Sequence, residues 1–209
     1  MSALQPTLRR QLENTVKQAR RLAETGALAA LERLSVGEAK PHKQLEPAER
    51  DLRNRLRAKG RQLGDKLDDK DGVQGIVHLK EACAYEYWHR MLFARFLAEN
   101  GLLIHSGEGV GVTLDDVEEL AQAEGTDRWT LAGRYASAML PEIFRPDDPL
   151  LQLEFAPEHK QALEKLLAAL PNDVFVAGDS LGWVYQFWQA DRKDEVNAAG
   201  NKIGADELS

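Results

Sequence analysis

Apolar residues in this chain recur every three to four positions and nowhere alternate for long enough to build a sheet, which restricts the fold to packed helices. The pattern is strongest between about residues 73 and 100. There Val77, Cys83, Ala84, Tyr87, Trp88, Met91, Leu92, Phe96 and Leu97 make a broad apolar face, and Gly101 stands at the expected C-terminal stop. This segment is expected to be the central helix of an irregular all-α, multi-helix bundle. Within it Glu86 with Arg90, and Arg95 with Glu99, are spaced as i,i+4 ion pairs.

Around that centre the same reasoning places further helices. Leu8, Leu12, Val16, Ala19 and Leu22 recur at helical spacing and continue to Leu34, so one long helix is expected over 7–34, with Gly26 as a point of interruption. Pro47, a favoured first-turn residue, opens a second helix that runs to Leu63 or Leu67 along a narrow leucine stripe weakened by Gly60 and Gly64. Thr113-Leu-Asp-Asp116 resembles a capping box and starts a helix ending at Gly125. Helices follow over 129–140, 158–170 and 181–189. Pro146, Pro149 and Pro157 make 145–157 an irregular connector with at most a short extended piece at 150–155. No internal repeat is evident. The chain divides into a basic helical segment, 1–70, a helical core, 71–190, and a polar linker, 191–209.

Charge is distributed unevenly along the 209 residues. The net charge is -7, yet residues 1–70 hold 16 Lys+Arg against 10 Asp+Glu, so the remainder carries all of the negative excess. A basic first third favours either pairing with the acidic remainder or a positive surface for a polyanion. Arg50, Arg53, Arg57 and Arg61 fall on one flank of the second helix, with Arg55 and Lys59 nearby, in a geometry that could track DNA phosphates. They are the candidate DNA-backbone contacts. A solvated face, or one paired with the acidic remainder, is the alternative.

Residues with catalytic or metal-binding spacing are missing from the pattern. His42, His78, His89, His105 and His159 show no i,i+4 pair and no companion cysteine or carboxylate cluster, so they read as structural or surface histidines. Gly107-Glu-Gly-Val-Gly111 has the glycines of a cofactor loop without the βαβ context such a loop needs, and is expected to be flexible. Nor is there a nucleophile elbow or P-loop. The aromatic groups Tyr85, Tyr87, Trp88 and Trp183, Tyr185, Phe187, Trp188 are expected in the core. The single cysteine, Cys83, excludes an internal disulfide framework. Mean hydropathy is -0.45, with no membrane-length apolar run and no secretory leader, so the chain is expected to be cytoplasmic with no membrane partner.

Three stretches resemble a known family, the N-terminal helix around Gln18-Ala-Arg-Arg-Leu22 more loosely than the other two. Residues 79–101, carrying Tyr85, Arg90, Arg95, Phe96, Asn100 and Gly101, resemble the helix near the start of the large adenine-specific DNA methyltransferases of the BREX/Pgl phage-defence type, with related enzymes in DISARM systems. Residues 181–196, Leu-Gly-Trp-Val-Tyr-Gln-Phe-Trp-Gln-Ala-Asp-Arg-Lys-Asp-Glu-Val, are similar to the segment preceding the methyltransferase domain there. The Asn-Pro-Pro-Tyr motif of those enzymes has no counterpart; Leu170-Pro-Asn-Asp173 lacks its paired prolines and aromatic. The resemblance implies an N-terminal helical region whose catalytic and cofactor residues lie elsewhere, S-adenosylmethionine being expected in the missing catalytic domain. It further implies three partners: that catalytic domain of the same polypeptide, DNA, and other phage-defence proteins. A module that recruits defence proteins without touching DNA is the rival expectation.

Overall fold

The structure is a computed structural model and describes residues 3–142, 144–145 and 147–190. The expected linker 191–209 and Pro146 of the connector lie outside the described residues. Those residues are organised entirely by helices, in an irregular bundle with no strand: α1 (Pro6–Arg33), α2 (Pro47–Leu63), α3 (Val77–Glu99), α4 (Leu114–Glu124), α5 (Arg128–Met139), α6 (Pro157–Ala168), α7 (Asp173–Val176) and α8 (residues 180–190).

Local chemistry explains most of the boundaries. Pro6, Pro47 and Pro157 each occupy a first-turn position, where the missing N–H costs nothing. Thr113 accepts from the Asp116 N–H while Asp116 Oδ2 accepts from Thr113 N at 2.7 Å, the reciprocal box anticipated from the sequence, and Gly125 closes α4 at φ 66°. α5 starts one residue before expectation because Asp127 caps it, accepting from the N–H groups of Trp129 and Thr130.

Two expectations are corrected. α1 is not interrupted at Gly26, which is helical and buried; a Cβ there would lie 2.8 Å from Phe155 Cδ2 and 3.1 Å from His159 Cβ. The glycine lets the chain around Phe155 and α6 approach α1. α3 starts at Val77, not near 73, because the Asp65 carboxylate accepts the His78 and Leu79 N–H groups at 2.9 Å and fixes the first turn there.

α3 is the axis of the packing, in contact with α1, α2, α5 and α7. Its first two-thirds bury Cys83, Ala84, Tyr87, Trp88 and Met91 against α1, α6, α7 and α8 in one core. Its last third, with Ala94 and Leu97, joins Leu103, Val112, α4, α5 and Phe144 in a second. The larger core takes residues from Leu4 to Trp188, so both the basic segment and the helical core contribute to it. The aromatic groups are in it as expected: Trp88 is fully buried and Tyr87 stacks on Phe155 with centroids 3.8 Å apart, although Tyr185 is 55% exposed.

A repeat invisible in the sequence emerges in the connections on either side of α3. Residues 64–76 and 101–113 follow the same path, 37 positions apart. Each begins at a glycine of positive φ, Gly64 and Gly101, and each forms one isolated antiparallel bridge, Leu67 with Gln74 and Ile104 with Gly111. Three hydrogen bonds across each turn correspond. Asp68 N donates to Val73 O at 2.8 Å and His105 N to Val110 O at 2.8 Å; Gly72 N donates to Asp68 O and Gly109 N to His105 O; Gly75 N donates to Lys66 O and Val112 N to Leu103 O. Gly72 and Gly109 share positive φ, 75° and 69°. The glycine-rich loop is therefore the second of two matched hairpin turns.

Candidate functional site: the arginine flank of the second helix

α2 is positioned by a capping box in which Glu46 N donates to Glu49 Oε2 at 3.1 Å, and by Leu56, fully buried beneath it. The helical period then aims Arg53, Arg57 and Arg61 in one direction. They meet the two polypeptide segments that flank the helix, 34–46 and 64–76.

Arg53 is 4% exposed; its Nε donates to Ser35 O at 3.0 Å and its Nη2 to Glu38 O at 2.5 Å. Arg57 donates from Nη1 to Val36 O (2.7 Å) and Glu38 O (2.6 Å), and from Nη2 to Gly72 O (2.8 Å). Arg61 donates to the Gln74 side-chain oxygen at 2.9 Å, and the Gln74 amide returns a bond to Arg57 O at 3.0 Å. Arg50, exposed on the surface, reaches Leu45 O and Lys43 O at 2.8 and 2.9 Å. All four thus bind their own chain, chiefly main-chain carbonyls, so a planar multi-donor group fastens two irregular segments to one helix.

The electrostatics fit that role. Burial, then the neighbouring Arg57, push the Arg53 pKa down, and burial with Arg61 does the same to Arg57. Both guanidiniums nevertheless stay charged at neutral pH, and the carbonyl dipoles around them help offset the cost of desolvation. Ser35, the partner of Arg53, is held at φ 51°, a conformation L-residues rarely adopt, with its hydroxyl donating to Leu34 O and accepting from His42 N. That backbone costs on the order of 1–3 kcal/mol and persists only where surrounding bonds over-determine it.

The family-like polar residues of α3 act similarly, a role the sequence did not signal. Arg95, 7% exposed, donates to the carbonyls of Leu167 and Leu170 and to Asn172 Oδ1, closes on Glu99 at 3.3 Å as expected, and lies over the Phe175 ring. It completes the C-terminal end of α6. Asn100 links Phe96 O to Phe175 O, at 2.8 and 2.9 Å. Arg90 donates to Leu151 O at 3.0 Å, where the sequence pairs it with Glu86. Burial, then Asp148, raises the Glu86 carboxyl pKa.

Lys59 crosses to Asp148 at 2.7 Å and so ties the basic segment to the connector. Burial pushes the Cys83 thiol pKa far up, leaving it an inert core side chain. Among the described residues no group of three His, Cys, Asp or Glu side chains could hold a metal ion, and no helix is long and apolar enough to cross a membrane. The glycines at 107–111 lie in a hairpin turn whose His105 Nδ1 accepts the Gly107 and Glu108 N–H groups. Compared with known protein families, curated proteins and solved structures, the chain matches none.

Proposed function

We propose that the chain is the N-terminal helical accessory module of an S-adenosylmethionine-dependent, adenine-specific (N6) DNA methyltransferase of a phage-defence system, supporting catalytic-domain or DNA contacts and inactive alone. The supporting observation is the family-like stretch 79–101, whose Arg90, Arg95 and Asn100 join the central helix to three other parts of the chain. Such residues preserve an architecture and carry no chemistry. S-adenosylmethionine and the methyl-transfer residues would belong to the catalytic domain, which makes that domain the first partner in cytoplasmic host DNA marking.

The rival reading, a module that recruits other defence proteins and leaves DNA alone, draws support from residues 101–127, which hold seven Asp+Glu and no Lys or Arg. Duplex-DNA binding by the chain at low and near-physiological salt separates the two. Because Arg53 and Arg57 hold the fold, the reversal belongs at the exposed Arg50 and Arg61. DNA contact predicts weak binding that falls steeply with salt and is reduced by Arg50→Glu with Arg61→Glu. Absence of binding at low salt removes the DNA role and leaves docking; calorimetric binding of S-adenosylmethionine by this chain would contradict the accessory reading itself.

A further inference from the structure

The two matched turns are held at their tips by different side chains. In the first, Asp68 Oδ1 accepts the N–H of Lys70 at 2.8 Å. In the second, His105 stands in the place of Asp68, and its Nδ1 accepts the N–H groups of Gly107 at 3.2 Å and Glu108 at 3.1 Å. Residues 106–108 make no other hydrogen bond among the described residues. Below them the hairpin is closed by His105 N on Val110 O and Gly109 N on His105 O, and its root is fixed by Leu103 and Val112, both buried in the second core. The order of the tip therefore passes through one nitrogen lone pair.

A proton acts differently on the two acceptors. A carboxylic acid keeps an acceptor oxygen when it is protonated, but an imidazole accepts only at its bare nitrogen, and an imidazolium is a donor at both. We propose that His105 is a proton-operated latch: uncharged, it holds the tip of hairpin 104–111, and protonation at Nδ1 sets a donor against the two N–H groups and releases the tip. The first hairpin, tied by Asp68, stays closed. The imidazole is only partly buried, so solvent can deliver the proton. Tyr135 of α5 packs against it, with ring centroids 5.0 Å apart, and Glu124 of α4, Arg134 of α5 and Glu108 of the turn itself act on the phenol. Burial raises the Tyr135 pKa and keeps that ring neutral. Glu124 and Arg134 pair at 3.0 Å, which leaves Glu108 to favour the charged imidazole. The tip is thus held at the alkaline end of the range in which imidazoles titrate, about pH 5 to 8, and is freed at the acid end. The inference does not depend on the methyltransferase reading.

The test follows the full chain by NMR. The His105 ring nitrogens report protonation, and solvent exchange of the Gly107 and Glu108 amides, each relative to its unstructured rate at the same pH, reports the tip. Protection of both should fall by about tenfold or more as the ring titrates between about pH 8 and 5, while Lys70, bonded to Asp68, keeps its own. His105→Asp installs the acceptor of the first hairpin and should keep the two amides protected at both ends of the range. His105→Ala should leave them unprotected throughout. Helicity of each variant reports whether the bundle is intact. The proposal is overturned by protection that persists while the His105 ring titrates, by a His105→Asp chain that loses it over the same range, or by His105→Ala amides as protected as those of the parent.

Discussion

Gly26 occupies a place in α1 where a methyl group would collide with the Phe155 ring and with His159 Cβ. Helix propensity alone would favour Gly26→Ala by about 1 kcal/mol, but a 2.8 Å approach to an aromatic ring held in the core exceeds that gain. Overpacking costs about 1–3 kcal/mol, so the variant should lose roughly 1–2 kcal/mol in urea unfolding. Asp127 gives a pH-dependent case. Burial opposes its charge, but hydrogen bonds from Lys160 and Thr130 outweigh burial and hold its pKa at about 2. The folded chain then takes up this proton less readily than the unfolded chain, so the associated stability is complete above about pH 4 and is lost as pH falls through about 2. Asp127→Asn should keep much of the cap while flattening the acid limb of stability against pH; Asp127→Ala should also lose about 1 kcal/mol at pH 7. His89 works in the same direction nearer neutrality. Burial lowers its pKa, so below about pH 6.5 protonation favours the unfolded chain.

α2 shows that one helix flank can serve as a fastening. Arg53→Ala would leave the Ser35 carbonyl without its guanidinium donor and should cost about 2–3 kcal/mol, whereas the exposed Arg50→Ala should stay within about 0.5–1 kcal/mol; paired chemical denaturation curves make the comparison. The spacing of the arginines in the sequence told that they share a flank, but not whether it faces solvent or polypeptide. That depends on the path of residues 34–46, a polar segment with few apolar residues to place it. Helix ends marked by their own chemistry, at Pro47, Thr113 and Gly125, were legible for the opposite reason. The start of α3 was not, because its cap, Asp65, comes from 12 residues upstream of the helix; Val73 and Val77 fit the apolar period yet are 47% and 59% exposed. α7, only four residues long, is too short for periodicity to register. The matched hairpins escaped notice since they share a backbone path and only a few residues, among them Gly72 with Gly109 and Val73 with Val110.

At the scale of the molecule, two cores share one helix, and they are unequal. α4 fully buries only Val117 and Ala121, whereas α1 buries ten residues along its length. Native-state hydrogen exchange should therefore find α4 opening at lower free energy than α1 and the first two turns of α3; uniform protection across all three would indicate a single cooperative unit. The way the 34–46 segment is held has a consequence for what may be altered. Its anchors are the buried side chains of Leu34, Val36 and Leu45 and carbonyl groups that every residue supplies alike, so the letters at exposed Ala39, Lys40, Lys43 and Gln44 are close to interchangeable while the path beneath them is fixed. A reporter or affinity handle grafted there would ride on a rigid mount, and the surface it presents could be rewritten without touching the bundle.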